Sequence, residues 1–118
     1  LALAASIGVA VLIFTNLPDA ESAHSLARHL VEQRLVACAN VLAPCQSVYR
    51  WQGAIEQAIE VPLLLKSTAE AYPRLESEIR ARHPYELPEI VAVPIAHGLP
   101  AYLAWVAAET TPPETTPC

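Results

Sequence analysis

Apolar and polar residues change their spacing several times along the chain, and each change predicts a new element. An uncharged, β-branched run over 7–14 predicts a first strand that is buried on both faces. The residues from Thr15 to Asp19 then predict a turn. Asp19 is a suitable N-cap for an amphipathic helix over 19–37, in which apolar residues recur every three or four positions.

From Ser47 onward the pattern alternates residue by residue, which is typical of a strand. Gln52 and Gly53 predict a hairpin turn, and the return strand runs over 54–66. At the usual rise per strand residue this return strand would measure roughly 40 Å, which exceeds the width of a compact domain of this size. We therefore expect the hairpin to overhang its sheet and to pair with another chain. Pro62 inside the strand predicts an edge or a bulge.

The rest of the chain predicts a helix over 72–82, a last strand over 90–95 and a third helix over 102–106. The second helix is expected to end at His83, because a residue before Pro84 is disfavoured in the helical region. The resulting order predicts an α/β (α+β) fold, a ferredoxin-like βαββαβ sandwich with an extended β-hairpin and an extra C-terminal helix. A doubly wound parallel sheet fits less well, because the central hairpin is antiparallel.

A length of 118 residues indicates one domain, which we place at 1–109, followed by a disordered Pro/Thr tail at 110–118. Hydrophobic residues make up 53% of the chain and charged residues 16%, which excludes disorder for most of it. So much apolar sequence in a small domain indicates that other subunits cover part of the surface. A net charge of -5 without any basic run argues against nucleic-acid and membrane partners.

The uncharged start over 1–14 is expected to hold a strand rather than a signal peptide or a membrane anchor. It is shorter than the roughly 20 residues of a membrane span, and no Lys or Arg precedes Arg28. The cysteines Cys38, Cys45 and Cys118 are odd in number and form no CxxC motif. These features favour a reduced, cytoplasmic protein without a disulfide framework.

Catalytic motifs are not found in the sequence, so no enzyme activity is expected. The competing hypothesis is an enzyme that uses His83, Tyr85 and Glu89 together with Lys66, but the spacing of a nucleophile and its base is missing. His83 lies between a helix and a proline-rich loop. It is a candidate proton donor, metal ligand or anion contact, and the simpler interpretation is that it caps the helix C-terminus.

Three further positions are open to two interpretations each. Lys66 either lines a pocket at the end of its strand or is the first solvated residue after it. Cys38 lies in an apolar context, which favours a buried thiol over a metal ligand. Aromatic residues at a hairpin edge favour an interface over a binding platform. The predicted subunit interface comprises Tyr49, Trp51, Ile55 and Ile59.

Five segments carry a more specific signal: LARHLVEQRLVACAN at 26–40, SVYRWQG at 47–53, LLKST at 64–68, HPYELPE at 83–89 and YLAW at 102–105. In this order and spacing they resemble the CutA1 divalent-cation tolerance family over roughly 9–109. The resemblance implies a ferredoxin-like subunit similar to the PII signalling proteins, and a homotrimer whose hairpin strands pair between subunits. It also implies a role in tolerance to copper and other divalent metals, usually in the cytoplasm.

The resemblance also implies a copper site, which in some family members is proposed to use a Cys at the end of the first strand and a His–His pair before Pro-Tyr. Phe14 and Arg82 occupy two of these positions in this chain, and only His83 is retained. We therefore expect weak, His83-dependent binding of Cu²⁺ or another divalent cation, because one imidazole does not hold copper alone. Cys38 is a secondary metal candidate.

The clefts between subunits are the predicted binding sites, since ligand pockets favour interfaces. Trp51, Lys66, Tyr85 and Glu89 are expected to converge there, with His83, on an anionic small molecule or a metal complex. The rival interpretation is that Glu89 merely neutralises Lys66. For the whole protein, the alternative function is a non-metal signalling or structural adaptor trimer whose protein partner is not identified.

Overall fold

The computed structural model describes residues 9–110, which form five strands and three helices. The predicted first strand is described from residue 9 onward, so its start at residue 7 and the residues before it lie outside the described residues. Of the predicted tail over 110–118, only Thr110 is described, and Cys118 is not. The elements are β1 (Ala10–Leu17), α1 (Ala20–Glu32), β2 (Cys38–Val41), β3 (Cys45–Trp51), β4 (Ala54–Thr68), α2 (Tyr72–Arg82), β5 (Val91–Pro94) and α3 (Pro100–Glu109).

The strands form one antiparallel sheet in the order β2-β4-β1-β5, in which β3 also pairs with β4. The long central pair runs from Ala10 opposite Thr68 to Leu17 opposite Val61. Since β4 lies between β1 and β2, the first helix connects two strands that are not neighbours, which is the split βαβ arrangement. The predicted ferredoxin-like fold is confirmed.

The core lies between one face of this sheet and the helices α1 and α2. Alternate residues of the two central strands, such as Ile13, Leu63 and Leu65, are fully buried against Leu30 of α1 and Leu75 of α2. Each such side chain contributes roughly 1.5–3 kcal/mol through burial. The helix α3 instead lies near one end of the sheet, where its buried Val106 packs with Ala10 of β1 and with Ala37, which precedes β2.

The hairpin extends beyond the sheet as expected. Residues 54–60 of β4 pair only with β3, whereas 61–68 pair with β1, and the molecule measures 50 Å along its longest axis. The turn has positive φ at both central residues, 50° at Gln52 and 84° at Gly53. This combination is the type I′ geometry that suits the twist of a two-residue hairpin. We call residues 45–60 the hairpin ribbon.

Pro62 lies in a central strand, yet it breaks no ladder. Its carbonyl accepts a hydrogen bond from the amide of Leu42, so its nitrogen faces the same side of the strand. On that side β2 has ended and β3 has not begun, because the interruption falls at residues 42–44. The gap acts as a local edge, which is the position that a proline inside a sheet requires.

Three local predictions were wrong. Residues 15–17 belong to β1 rather than to a turn, and Phe14 is 38% exposed, so β1 is not buried on both faces. The first helix ends at Glu32 rather than at residue 37. Arg34 adopts φ 58°, and the amides of Arg34 and Leu35 return to the carbonyls of Val31 and Leu30, which closes the helix as a Schellman motif.

Within residues 9–110, no helix combines the length and the apolar character that crossing a membrane requires.

Candidate functional site

A cleft of about 850 Å³ lies between the hairpin ribbon, the end of β1 and the loop over 83–89. Three aromatic side chains and three carboxylates share its walls: Tyr49, Trp51, Tyr85, Glu60, Glu86 and Glu89. Among the described residues, those that line the cleft include no Lys, Arg or His. Its volume falls within the range typical of small-molecule sites. We refer to it as the aromatic–acidic cleft.

His83 anchors the loop that forms one wall. Its ring is nearly buried, and Nε2 lies 2.8 Å from the backbone carbonyl oxygen of Asn16, which can only accept a hydrogen bond. Nδ1 accepts a hydrogen bond from the amide of Tyr85 at 3.2 Å. These two contacts require the neutral tautomer with its proton on Nε2. Burial lowers the pKa of His83 below its ordinary value of 6.5, partly offset by the Asn16 contact and by the charge of Glu60.

Asn16 joins β1 to the same loop through a second contact. Its side-chain amide donates to the carboxylate of Glu89 at 3.0 Å, while its carbonyl accepts from His83. Asn16 occupies the second-to-last position of β1, opposite Pro62. The end of a rigid strand therefore fixes both ends of the loop, and the loop's orientation follows from the sheet rather than from the loop itself.

Glu60 and Tyr85 form the most buried polar pair of the cleft. Glu60 is 9% exposed, although it is an acidic residue at the point where the ribbon meets the sheet. The Tyr85 hydroxyl lies beside this carboxylate, to which it can donate its proton. Burial first, and then the hydrogen bond and charge of Glu60, raise the pKa of Tyr85 to about 12. The tyrosine hydroxyl therefore remains a protonated donor throughout the physiological range.

The residues predicted to converge on a cleft are partly brought together within one subunit. Trp51, Tyr85 and Glu89 line the aromatic–acidic cleft. Lys66 does not line it, because its ammonium group donates to the side-chain oxygen of Asn40 and lies 3.9 Å from the Cys38 sulfur. Glu89 accepts a hydrogen bond from Asn16, so the pairing of Glu89 with Lys66 that the rival interpretation required is not found in this subunit.

The two faces of the hairpin ribbon differ in character. Tyr49 and Trp51 lie on the face that borders the cleft. Val48, Ile55 and Ile59 lie on the opposite face and are 63%, 63% and 62% exposed. The four residues predicted for the subunit interface therefore occupy both faces of the ribbon rather than one.

Candidate metal ligands are dispersed. Within residues 9–110 no group of three or more His, Cys, Asp or Glu side chains is placed to hold one ion. Both ring nitrogens of His83 are engaged, Arg82 donates to Glu78, and Phe14 lies partly exposed on β1. Cys38 is a half-buried free thiol, and Cys45 is an exposed one.

Two cleft residues, Glu60 and Asn16, were not singled out by sequence reasoning. The alternation of the return strand did place Glu60 on the face opposite Ile55 and Ile59, which was the available signal. No comparable signal marks Asn16, because residues 15–17 were assigned to a turn and its partner Glu89 lies 73 positions away.

An antiparallel sheet of this strand order, with α1 and α2 packed on one face, defines the ferredoxin-like class of α+β proteins. The sequence profile of the CutA1 divalent ion tolerance protein family matches residues 11–109. The divalent-cation tolerance protein CutA of Thermus thermophilus is 43% identical over 99 residues, which make up 84% of this chain and 96% of that protein. The chain therefore belongs to the CutA1 divalent ion tolerance family, as the five sequence segments predicted.

Solved structures agree with this assignment. CutA from Xylella fastidiosa superposes with a TM-score of 0.83 at 43% identity, covering 86% of this chain and 98% of that one. The periplasmic divalent cation tolerance protein CutA from Archaeoglobus fulgidus gives a TM-score of 0.83 at 33% identity, covering 86% and 99%. The fold of this chain is thus the fold of its relatives.

Proposed function

We propose that this chain acts as a non-enzymatic, cytoplasmic homotrimer in tolerance to divalent cations, and that its clefts bind a ligand. The observation that carries the proposal is the hairpin ribbon, which projects beyond its sheet with an apolar face open to solvent. The family relationship supports the tolerance role. The trimer, the location and the ligand site are the proposed parts.

The ribbon requires a partner on energetic grounds. A two-stranded hairpin without a third strand is marginally stable in water, and β3 pairs with β4 alone. Val48, Ile55 and Ile59 each leave more than half of their surface exposed. Covering three such side chains contributes roughly 3–6 kcal/mol per subunit from burial, which favours packing of the ribbon against a neighbour.

The sheet offers a second apolar surface for assembly. Phe14 pairs with Leu64 on one side and with Val91 on the other, so these side chains share the face that points away from α1 and α2. Phe14, Val91 and Val93 are 38%, 46% and 45% exposed. Exposed apolar patches of this kind mark interaction surfaces in soluble proteins. A closed trimer that turns these faces inward would cover them.

Metal binding is expected to be weak and to involve His83. A metal ion needs the lone pair on Nδ1, and that lone pair accepts the hydrogen bond of the Tyr85 amide. Binding of Cu²⁺ or another divalent cation at this residue must therefore break an existing contact. Calorimetric titration of the protein and of His83→Ala with Cu²⁺ tests this proposal. Sub-micromolar affinity that survives His83→Ala would place the metal elsewhere.

Sedimentation equilibrium tests the trimer. The wild-type protein should sediment at about three times the 12.7 kDa chain mass across dilution. Ile59→Glu should dissociate it, because a charge buried without a partner is costly. Val31→Glu is the matched control, since Val31 is an exposed apolar residue of α1 outside the ribbon. A wild-type monomer at micromolar concentration, or equal dissociation of both variants, would contradict the proposal.

A further inference from the structure

The negative charge of the aromatic–acidic cleft is not balanced by any basic side chain in its described walls. Among the described residues, Glu60, Glu86 and Glu89 line the cleft and no basic side chain does. None of the three carboxylates forms an ion pair with a Lys, Arg or His of the described chain. Buried charges are normally paired, so a buried carboxylate in this setting favours a cation that comes from outside the subunit.

Glu60 makes this imbalance acute because it is buried. The Tyr85 hydroxyl can supply only one hydrogen bond to a carboxylate that has about four acceptor sites. His83 lies near enough for its titration to depend on the charge of Glu60, but its two ring nitrogens are engaged and it is neutral at pH 7. His83 therefore does not offset the charge of Glu60, and the remaining acceptor sites of Glu60 are available to a donor in the cleft.

The walls also distinguish among possible cations. Tyr49, Trp51 and Tyr85 present aromatic rings, which attract ammonium and guanidinium groups through cation–π interactions. The carboxylates do not converge on a single point that could hold a metal ion. The volume of about 850 Å³ is larger than one side chain needs and suits a small molecule.

We infer that the aromatic–acidic cleft binds a free organic cation, a short aliphatic amine or guanidine, with Glu60 as its anionic contact and Trp51 and Tyr85 as its aromatic walls. This inference names the class of ligand for the cleft, and it rests on the proposed function, in which the clefts of the protein bind a ligand. It replaces the expected anionic ligand, since Lys66 lies outside this cleft within the subunit. The occupant is recognised by donor groups and positive charge together.

Calorimetric titration with matched probes tests the charge requirement. Agmatine and 1,4-diaminobutane should bind the wild-type protein, whereas 1,4-butanediol and succinate, which have similar length without positive charge, should not. Equal binding of the diol or of succinate would overturn the inference. An absence of heat with both cations would overturn it as well.

Site variants locate the binding. Glu60→Gln should weaken binding of 1,4-diaminobutane by about tenfold or more, because a charge-assisted hydrogen bond is lost. Trp51→Leu should weaken it by several-fold through loss of the aromatic wall. Glu70→Gln is the matched control, since it removes the same charge from an exposed position beyond the far end of β4 and outside the cleft lining, and it should change affinity by less than about twofold. Unchanged affinity in both cleft variants would refute the assignment.

Stability and assembly of the same samples separate this inference from the proposed function. Unliganded Glu60→Gln should melt at or above the wild-type temperature, because an uncompensated buried charge has been removed. If a basic side chain of a second copy fills the cleft instead, Glu60→Gln will dissociate the oligomer and free cations will give no heat, which overturns the inference. Absent binding in an intact trimer overturns the inference alone. A monomeric wild-type protein overturns the proposed function.

Discussion

Replacing His83 tests how the loop over 83–89 is held against β1. His83→Ala removes the hydrogen bond to the Asn16 carbonyl and leaves the Tyr85 amide without its acceptor. Two lost contacts, one unsatisfied partner and the lost burial of the ring together should lower the free energy of unfolding by roughly 2–4 kcal/mol. Urea unfolding followed by tryptophan fluorescence, at one fixed protein concentration, measures this loss.

The same contacts give the stability a pH dependence of defined sign. Burial lowers the pKa of His83 in the folded chain below its ordinary value of 6.5. The unfolded chain therefore binds the proton more readily, so the stabilisation is fully present above pH 6.5 and is lost as the pH falls from 6.5 through the folded pKa. Protonation of Nδ1 also removes the acceptor of the Tyr85 amide, whose hydrogen exchange should become faster in that window than its intrinsic rate predicts.

His83→Gln supplies the non-titrating comparison. Its unfolding free energy should lack the component that the wild-type protein loses as the pH falls below 6.5. His24→Gln, which replaces an exposed histidine of α1, should keep the wild-type profile. If the wild-type and His83→Gln profiles are parallel, or if the Tyr85 amide exchanges with only its intrinsic pH dependence, the neutral-tautomer assignment is wrong.

Three further predictions concern stability. Thr15→Val should stabilise the fold by about 1 kcal/mol, because the buried Thr15 hydroxyl has no hydrogen-bond partner within residues 9–110. The matched variant Thr110→Val should destabilise the fold by a similar amount, about 1 kcal/mol, because the Thr110 hydroxyl donates to the Val106 carbonyl at 2.6 Å. Thermal melts that rank these two variants in the opposite order would contradict this reasoning. Gln52→Asn should raise the melting temperature slightly, because Asn-Gly suits the type I′ turn better, and an unchanged or lower value would argue against that turn geometry. Glu78→Gln should cost about 1 kcal/mol at low salt and less at high salt, since its carboxylate pairs with the Arg82 guanidinium at 2.8 Å and also contacts His29 of α1 at 2.6 Å. Urea midpoints at two ionic strengths check this, and a loss independent of salt would contradict the ion-pair reasoning.

Local sequence patterns predicted the ribbon and α2 well. A two-residue turn and strict alternation define a hairpin without reference to the rest of the chain, and the length of β4 alone implied the overhang. The end of α1 was predicted five residues too late because Leu35 continues the apolar period. A non-glycine residue in the left-handed region, here Arg34, ends the helix without the usual sequence signal.

The cleft was predictable only in part, because its walls come from distant segments. Trp51, Tyr85 and Glu89 attract attention as aromatic and charged residues in the hairpin and in a proline-rich loop. Asn16 contributes through its position in the sheet register, which no local pattern specifies. Lys66 and Glu89 were expected to lie together in a cleft, and within this subunit each has a different partner, Asn40 and Asn16.

The hairpin ribbon also has a consequence for the order in which the chain folds. The pairing of β1 with β4 joins residues between 44 and 58 positions apart, so it requires the closure of a long loop, whereas β3 and β4 are joined through a two-residue turn. Closing a short loop costs less conformational entropy and is fast, with hairpins forming in about 1–10 μs. The ribbon is thus the part of the sheet that should form fastest. Because no further strand pairs with it, its hydrogen bonds should also open most readily once it has formed. For this chain the earliest contacts and the most durable ones lie at opposite ends of β4.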